Sequence, residues 1–127
     1  MSKSIDVVEA FVAAWNARDF DKVLSFFDEA SFYHNLPLAP VTGTDAIRGV
    51  LEMFFNSASD IDWVMHGISQ TPSGTVLTER TDRFLINGKW LELPVMGAFE
   101  IDGDIIRAWR DYFDLKTFEA GMAAVSA

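Results

Sequence analysis

Two charged residues, Arg80 and Asp82, stand two positions apart in a segment that otherwise favours a β-strand. The segment, residues 76–86, is rich in apolar and β-branched residues. Because strand side chains alternate between faces, Arg80 and Asp82 project on the same side. If that side lines a core, the two charges must be paired, since an unpaired buried charge is strongly destabilising. From this strand alone, the alternative is an ion pair exposed to water.

A predicted hairpin favours the buried alternative. Asn87-Gly88 is typical of a two-residue turn between antiparallel strands. Such a turn places Asp82 opposite Leu93 and Arg80 opposite Val95. The face of the second strand that carries Leu93 and Val95 is almost wholly apolar. We therefore expect Arg80 and Asp82 to project into a hydrophobic interior.

A second carboxylate, Asp111, lies in the next predicted strand. A two-residue Asp102-Gly103 turn would put Asp111 on the opposite side of the sheet from Arg80. A three-residue turn, or a bulge near Pro94, would put both on the same side, and Pro94 favours an irregularity because it cannot donate to the ladder. With that one-residue shift, Asp111 pairs with Val95. Its backbone then lies about 10 Å from that of Arg80, within reach of the arginine side chain.

Together with Tyr33 and Asn35, these residues could form a site for acid and base catalysis. Two buried carboxylates beside Arg80 suit paired roles, because desolvation and mutual repulsion keep one protonated while the other is ionised. Tyr33 and Asn35 share one face of a predicted strand over residues 30–35 and could hold a water molecule against the base. The surrounding side chains are apolar and imply an apolar substrate. The candidates for the pocket lining are Val64, His66, Phe84, Leu93, Val95, Phe113 and Phe118.

Each candidate also has a purely structural interpretation. Tyr33 could be a core tyrosine, and Asn35 could be a turn residue that ends its strand. Asp111 could simply pair with Arg107 or Arg110. His66 shares a face with Val64 only if residues 62–68 alternate regularly. We interpret His34, which faces away from Tyr33, as structural, and Asp114 as the cap of the last helix.

The elements that must position these residues are predicted to be helices first and strands afterwards. Apolar periodicity predicts helices near residues 4–15, 21–27 and 44–55, and a last helix over about 114–124. Strands are predicted over about 60–70, 75–86, 89–101 and 104–113. This order favours an α+β fold in which the helices pack on one face of a curved antiparallel sheet and enclose a pocket. We expect a single domain over residues 1–127.

Composition excludes several classes of function. The chain of 127 residues has 50% hydrophobic residues and a net charge of −9, which argues against disorder and against binding to nucleic acid or an anionic membrane. It has no cysteine and only two histidines, so we expect no metal and no cofactor. No signal peptide or apolar run of membrane-spanning length is evident. The default expectation is a cytoplasmic protein.

A homodimer is also expected. The one-residue shift that brings Asp111 inside turns a set of mostly apolar residues to the outer face of the sheet, too large a surface to leave in water. These residues are Trp90, Met96, Ala98, Ile106, Ala108 and Tyr112.

The polar residues also carry a family resemblance. Tyr33-x-Asn35, Arg80-x-Asp82 and the segment Trp109-Arg110-Asp111-Tyr112-Phe113-Asp114 occur in this order and resemble the motifs of the limonene-1,2-epoxide hydrolases. The resemblance runs through residues 77–119 and is looser in the N-terminal half. It implies a cone-shaped α+β fold of the nuclear-transport-factor-2 (NTF2) or SnoaL-like type.

The resemblance implies hydrolysis of a lipophilic, cyclic or terpene-like epoxide to a vicinal diol in one step, without a covalent intermediate. It makes Asp111 the base, with Tyr33 and Asn35 positioning the water. It makes Asp82 the acid, and Arg80 the bridge between the carboxylates. The alternative is an isomerase or cyclase of the same fold, similar to ketosteroid isomerase or the SnoaL cyclases, in which a protonated aspartate and Tyr33 would stabilise an enolate.

Overall fold

A computed structural model describes residues 3–127 and shows four helices and six strands in that part of the chain. The helices are α1 (Lys3–Asn16), α2 (Phe20–Leu24), α3 (Thr44–Ser57) and α4 (Leu115–Ser126). The strands are β1 (Phe32–Leu36), β2 (Val41–Thr42), β3 (Asp60–Gln70), β4 (Val76–Ile86), β5 (Lys89–Asp102) and β6 (Ile105–Tyr112). None of these helices combines the length and the apolar character needed to span a membrane.

The six strands form one mixed sheet in the order β2-β1-β6-β5-β4-β3. Strand β1 pairs with β6 in parallel, and all other neighbours are antiparallel. Helix α1 packs against β3, and α4 packs against β5. The predicted α+β fold, with helices on a curved sheet around an internal pocket, is confirmed, and the parallel β1–β6 pair makes the sheet mixed rather than purely antiparallel.

Helix boundaries follow local capping chemistry. The side chain of Asp114 accepts a hydrogen bond from the backbone N–H of Thr117 at the start of α4, as predicted. Asp19 caps α2 in the same way through the N–H of Lys22. These caps satisfy backbone donors that the first helical turn leaves without a partner.

The β4–β5 hairpin has the predicted register. Asn87-Gly88 forms a two-residue turn, with both residues at positive φ. Asp82 lies opposite Leu93, and Arg80 lies opposite Val95. The face that carries Arg80 and Asp82 is therefore turned toward the helices, and both residues are buried.

The irregularity that brings Asp111 to the same face lies elsewhere than predicted. Pro94 pairs with Thr81 in regular register, so the expected bulge near Pro94 is wrong. The extra residue is Arg107 in β6, where the register shifts between the Ile101–Ile106 and Glu100–Ala108 pairs. Its guanidinium lies outside the core and pairs with Asp28 and Asp102, whereas Ile106 before the bulge and Trp109 after it are both buried.

Two further features differ from the sequence prediction. Asp111 lies opposite Gly97 rather than Val95, because the β5–β6 turn consists of Gly103 and Asp104 rather than beginning at Asp102. Ile106, which precedes the bulge, is fully buried rather than exposed on the outer face. Of the other expected outer residues, Trp90, Met96 and Tyr112 are 37%, 52% and 48% exposed, whereas Ala98 is buried and Ala108 is half-buried.

Candidate active site

Arg80, Asp82 and Asp111 form a buried ionic cluster on the inner face of the sheet, with only 1%, 4% and 3% of their surfaces exposed. Arg80 Nε and Nη2 donate to the two oxygens of Asp82 at 3.0 and 2.9 Å. Arg80 Nη1 and Nη2 donate to the two oxygens of Asp111 at 3.2 and 2.8 Å. Both carboxylates are therefore held in bidentate contact with the same guanidinium, a geometry that gives strong and directional pairing. The predicted trio is brought together in the structure.

A glycine beneath the cluster makes room for it. Gly97 lies in β5 between Thr78 of β4 and Asp111 of β6. A Cβ at Gly97 would come within 2.6 Å of both Arg80 Nη1 and Asp111 Oδ1. Because Gly97 has no side chain, the guanidinium and the carboxylate can lie against the backbone of the central strand.

Tyr33 and Asn35 reach the cluster through the parallel pairing of β1 with β6. That pairing places Asn35 beside Asp111 and Tyr33 beside Trp109. The ring of Tyr33 stacks on the indole of Trp109, with 4.2 Å between ring centroids. Tyr33 and Asn35 both line the same cavity as Asp82 and Asp111. All five predicted polar residues thus meet in one place.

Burial and neighbouring charges shift the pKa values of Asp82, Arg80 and Tyr33. Burial raises the pKa of the Asp82 carboxyl to about 6, an effect that Arg80 opposes and the charge of Asp111 reinforces. Burial would lower the pKa of Arg80, but the two carboxylates outweigh burial, and the guanidinium stays charged. Burial, and then the negative charge of Asp111, raise the pKa of Tyr33, so its hydroxyl remains a proton-bearing donor. Asp82 is thus the carboxyl of the site with an evident tendency to hold a proton near neutral pH.

The cavity enclosed by these residues is small and mostly apolar. Its volume is about 30 Å³, enough for one or two water molecules. Four of the predicted lining residues form its wall, namely Phe84, Leu93, Val95 and Phe113. Asp82, Asp111 and Asn35 supply its polar side.

Three predicted lining residues do not lie in this wall. Val64 pairs with Thr81 on the outer face and is 37% exposed, because residue 63 rather than residue 64 of β3 points inward. His66 sits at a bulge in β3 and hydrogen-bonds the Thr81 hydroxyl at 2.8 Å, also on the outer side. Regular alternation over residues 62–68 is therefore wrong. Phe118 packs behind the wall, with its ring 5.8 Å from that of Phe113.

Several residues of the site escaped the sequence prediction. Trp109 Nε1 donates to Asp111 Oδ1 at 2.8 Å, and Thr78 Oγ1 accepts from Arg80 Nη1 at 3.1 Å. The Arg80 guanidinium lies 4.7 Å from the centre of the Trp63 ring, a cation–π contact. Trp109 and Thr78 could have been found from strand alternation, because each stands two positions from a predicted catalytic residue. Trp15, Leu51 and Phe54, which also line the cavity, come from helices, and no local signal connects them with β4 or β6.

No group of three or more His, Cys, Asp or Glu side chains within residues 3–127 is arranged to hold a metal ion. The site does contain two carboxyl groups and several hydrogen-bond donors. A carboxyl that retains a proton and a second carboxylate near a polar water site can protonate one atom of a bound molecule while deprotonating another.

Comparisons with known proteins agree with this geometry. Residues 2–123 match the family described as the limonene-1,2-epoxide hydrolase catalytic domain. The chain is 31% identical over 115 residues to epoxide hydrolase EphG of Mycobacterium tuberculosis, covering 91% of this chain and 76% of that protein.

Solved structures give the same result at the level of the fold. A limonene-epoxide-hydrolase-like enzyme of M. tuberculosis superimposes with a TM-score of 0.80 at 30% identity, covering 97% of this chain and 91% of that one. A putative SnoaL-like polyketide cyclase from Shewanella putrefaciens has a TM-score of 0.83 at 15% identity and covers 98% of both chains, which shows a shared fold alone. The match over residues 2–123 shows that the chain belongs to the limonene-1,2-epoxide hydrolase family.

Proposed function

We propose that this protein hydrolyses a lipophilic epoxide to a vicinal diol in one step, with an activated water as the nucleophile. The observation that carries the proposal is the buried Arg80 guanidinium held between Asp82 and Asp111 at 2.8–3.2 Å. The arrangement presents a proton donor and a proton acceptor to one small cavity. Ring opening needs both, because an alkoxide is a poor leaving group and water is a weak nucleophile at neutral pH.

Asp111 is the base in this proposal. The β1–β6 pairing sets Asn35 beside it, and Asn35 and Tyr33 both line the cavity, which has room for a water molecule. Asn35 and Tyr33 orient this water, while Asp111 accepts one of its protons. The water oxygen forms a bond to one ring carbon as the bond between that carbon and the epoxide oxygen breaks.

Asp82 is the acid. Its raised pKa of about 6 keeps a fraction of the carboxyl protonated near neutral pH, and a positioned acid of this kind contributes a factor of about 10²–10⁴ to the rate. Asp82 gives its proton to the epoxide oxygen as the ring opens. The reaction leaves Asp111 protonated and Asp82 ionised, and proton exchange with solvent restores the starting state. No metal or cofactor has a part in these steps, so a chelator should leave the rate unchanged.

The walls of the cavity favour a hydrophobic substrate. Phe54, Phe84, Leu93 and Phe113 surround the carboxylates with apolar surface. The space of about 30 Å³ holds the attacking water but not a cyclic or terpene-like epoxide as well. Side chains of the wall must therefore move when such a substrate binds, and a panel of epoxides of increasing size would measure how far they do so.

The test is diol formation from a cyclic epoxide by the wild-type protein and by two alanine variants. Asp111→Ala and Asp82→Ala should each abolish turnover and keep the fold. Asp62→Ala is the matched control, because Asp62 belongs to an ion pair with Arg83 on the outer face. Near-wild-type turnover by either site variant would contradict the proposal, and an isomerised or cyclised product would favour the isomerase or cyclase alternative.

The route of the oxygen atom tests the one-step mechanism separately. In a single turnover in water labelled with ¹⁸O, the label should appear in the diol. Label in the carboxylate of Asp111 would instead show that this group attacks the ring and forms a covalent intermediate.

We also propose that the protein is a homodimer joined through the outer face of the sheet. Leu77, Met96 and Tyr112 lie on this face in β4, β5 and β6 and are 40%, 52% and 48% exposed. Met96 pairs directly with Tyr112, so the apolar surface is continuous across strands. Light scattering after size-exclusion chromatography should give twice the chain mass for the wild type and the single-chain mass for Met96→Glu. A wild-type monomer would contradict this proposal.

A further inference from the structure

Every N–H group of the Arg80 guanidinium already has a hydrogen-bond acceptor within the protein. A guanidinium carries five N–H donors. Nε and Nη2 each donate to Asp82, and Nη1 and Nη2 each donate to Asp111. The remaining Nη1 donor is directed to the hydroxyl of Thr78 at 3.1 Å. Arg80 therefore has no donor left for a substrate, and its part in the site is to position and bias the two carboxylates.

The two oxygens of Asp111 are not equivalent. Oδ1 accepts hydrogen bonds from Arg80 Nη1 at 3.2 Å and from Trp109 Nε1 at 2.8 Å. Oδ2 accepts a single one among residues 3–127, from Arg80 Nη2 at 2.8 Å. Each oxygen of an ionised carboxylate offers about two acceptor positions. Oδ1 is thus filled by protein donors, and Oδ2 retains one position for another donor.

The indole of Trp109 cannot easily turn away from Asp111. Its side chain is 1% exposed and lies between aromatic rings. Tyr33 stacks on it at 4.2 Å, and Phe99 stacks at 5.8 Å with an angle of only 13° between the planes. Strand alternation places Trp109 and Asp111 on the same face of β6. The N–H of Trp109 is consequently a fixed donor to Oδ1.

We infer that Trp109 is a positioning residue that reserves Oδ2 of Asp111 as the atom that accepts the proton of the attacking water. This inference rests on the proposed function and deepens it. By occupying Oδ1, Trp109 leaves one oxygen of the base open to the water site shared with Asn35. The same N–H stabilises the ionised form of Asp111, because a donor to a carboxylate favours its charged state.

Two variants that lack the indole N–H test this role. Trp109→Phe removes the donor and keeps an aromatic ring against Tyr33. Replacement of Trp109 by its benzothiophene analogue keeps the whole fused ring as well, and this variant decides the matter if the phenylalanine variant folds poorly. Trp90→Phe, on the outer face, is the control for loss of an indole outside the cavity.

Loss of the N–H should lower kcat by about 10- to 100-fold, as expected for a hydrogen bond to a charged group, with a change in KM of less than about threefold. The acidic limb of the pH–kcat profile should move to higher pH, because the ionised base loses a stabilising donor. A purely structural role would lower the thermal midpoint without moving that limb. A benzothiophene variant with the kcat and pH profile of the wild type would overturn the inference.

An NMR measurement on the wild type separates this inference from the proposed function. The indole proton of Trp109 should resonate downfield of those of Trp15 and Trp63, whose N–H groups have no partner within residues 3–127. It should also shift in Asp111→Ala. A Trp109 resonance unaffected by that substitution would overturn the positioning role. If the Trp109 proton resonates downfield in the wild type and moves in Asp111→Ala, but the wild type forms no diol, the result would count against the proposed function alone.

Discussion

Replacement of Gly97 by alanine should damage both the stability and the activity of this protein. The added methyl group would lie 2.6 Å from Arg80 Nη1, 2.6 Å from Asp111 Oδ1 and 2.9 Å from Thr78 Oγ1. Real contacts of a methyl carbon are longer than this, so the neighbours must move. The clashing atoms of Arg80 and Asp111 lie at the ends of their side chains, which could move in principle. Each side chain is, however, held by several hydrogen bonds inside a buried cluster. Any movement that relieves the clash therefore weakens the ionic contacts.

The size of the effect follows from what must break. Disrupting a buried ion pair costs about 3–5 kcal/mol, because charges remain buried without their partners. For a domain of this size, that loss lowers the thermal midpoint by roughly 10–20 °C. Displacement of Asp111 by even about 1 Å also costs about 10²-fold in rate. We expect Gly97→Ala to lose at least this much turnover at temperatures where the variant is still folded.

The assay is thermal unfolding followed by circular dichroism, together with diol formation at a temperature below both midpoints. Gly67→Ala is the matched control. It is also a strand glycine, and an added Cβ there meets no atom within 4 Å. The control should stay within about 0.5 kcal/mol of the wild type. A Gly97→Ala variant with a midpoint within about 2 °C of the wild type and unchanged turnover would refute the view that the cluster lies directly against this backbone.

Four further predictions concern Asp82, Asn35 and Gly49. Asp82 holds its proton more tightly in the folded chain, with a pKa of about 6, than in the unfolded chain, where it is about 3.9. The stabilisation that this proton provides is therefore complete below about pH 4 and is lost as the pH rises through about 6. In Asp82→Asn, the free energy of unfolding measured by urea titration should vary less with pH over this range. In the wild type, kcat/KM should fall as the pH rises above about 6, and a rate that increases there would contradict an acid role for Asp82. Asn35→Leu should lower kcat by about tenfold with little change in the unfolding midpoint, because it removes the amide that orients the water. A rate equal to that of the wild type would show that Asn35 does not hold the water. Gly49 lies in α3, where an added Cβ meets nothing within 4 Å. Gly49→Ala should therefore raise the free energy of unfolding by about 0.5–1 kcal/mol without changing turnover. A destabilised variant would contradict the described packing.

Local sequence was sufficient to predict the hairpin that carries Arg80 and Asp82. Asn87-Gly88 specifies a tight turn, and the turn specifies the pairing of β4 with β5 without reference to any distant residue. The alternation of β4 then placed Arg80 and Asp82 on one face, and the apolar partner strand indicated that this face is buried.

The position of Asp111 required more than local rules. The sequence indicated that one extra residue was needed between Asp82 and Asp111, but the bulge formed at Arg107 rather than near Pro94. At the bulge, Arg107 forms an ion pair at 2.6 Å with Asp28, a residue far away in the sequence that no local pattern connects with β6. In β3, Val64 faces outward through its regular pairing with Thr81, and His66 lies at a bulge, so both residues lie outside the predicted pocket.

The types of groups in the site, their order along the chain and the hairpin register follow from local sequence, because they depend on neighbouring residues and on the period of a strand. Long-range packing was needed to bring Asn35 beside Asp111, to direct the N–H of Trp109 to one oxygen of that carboxylate and to leave room for the cluster at Gly97. Those contacts arise from pairing between β1, β5 and β6, where a shift of a single residue would turn every side chain to the other face. They depend on the packing of segments far apart in the chain, which no local pattern specifies.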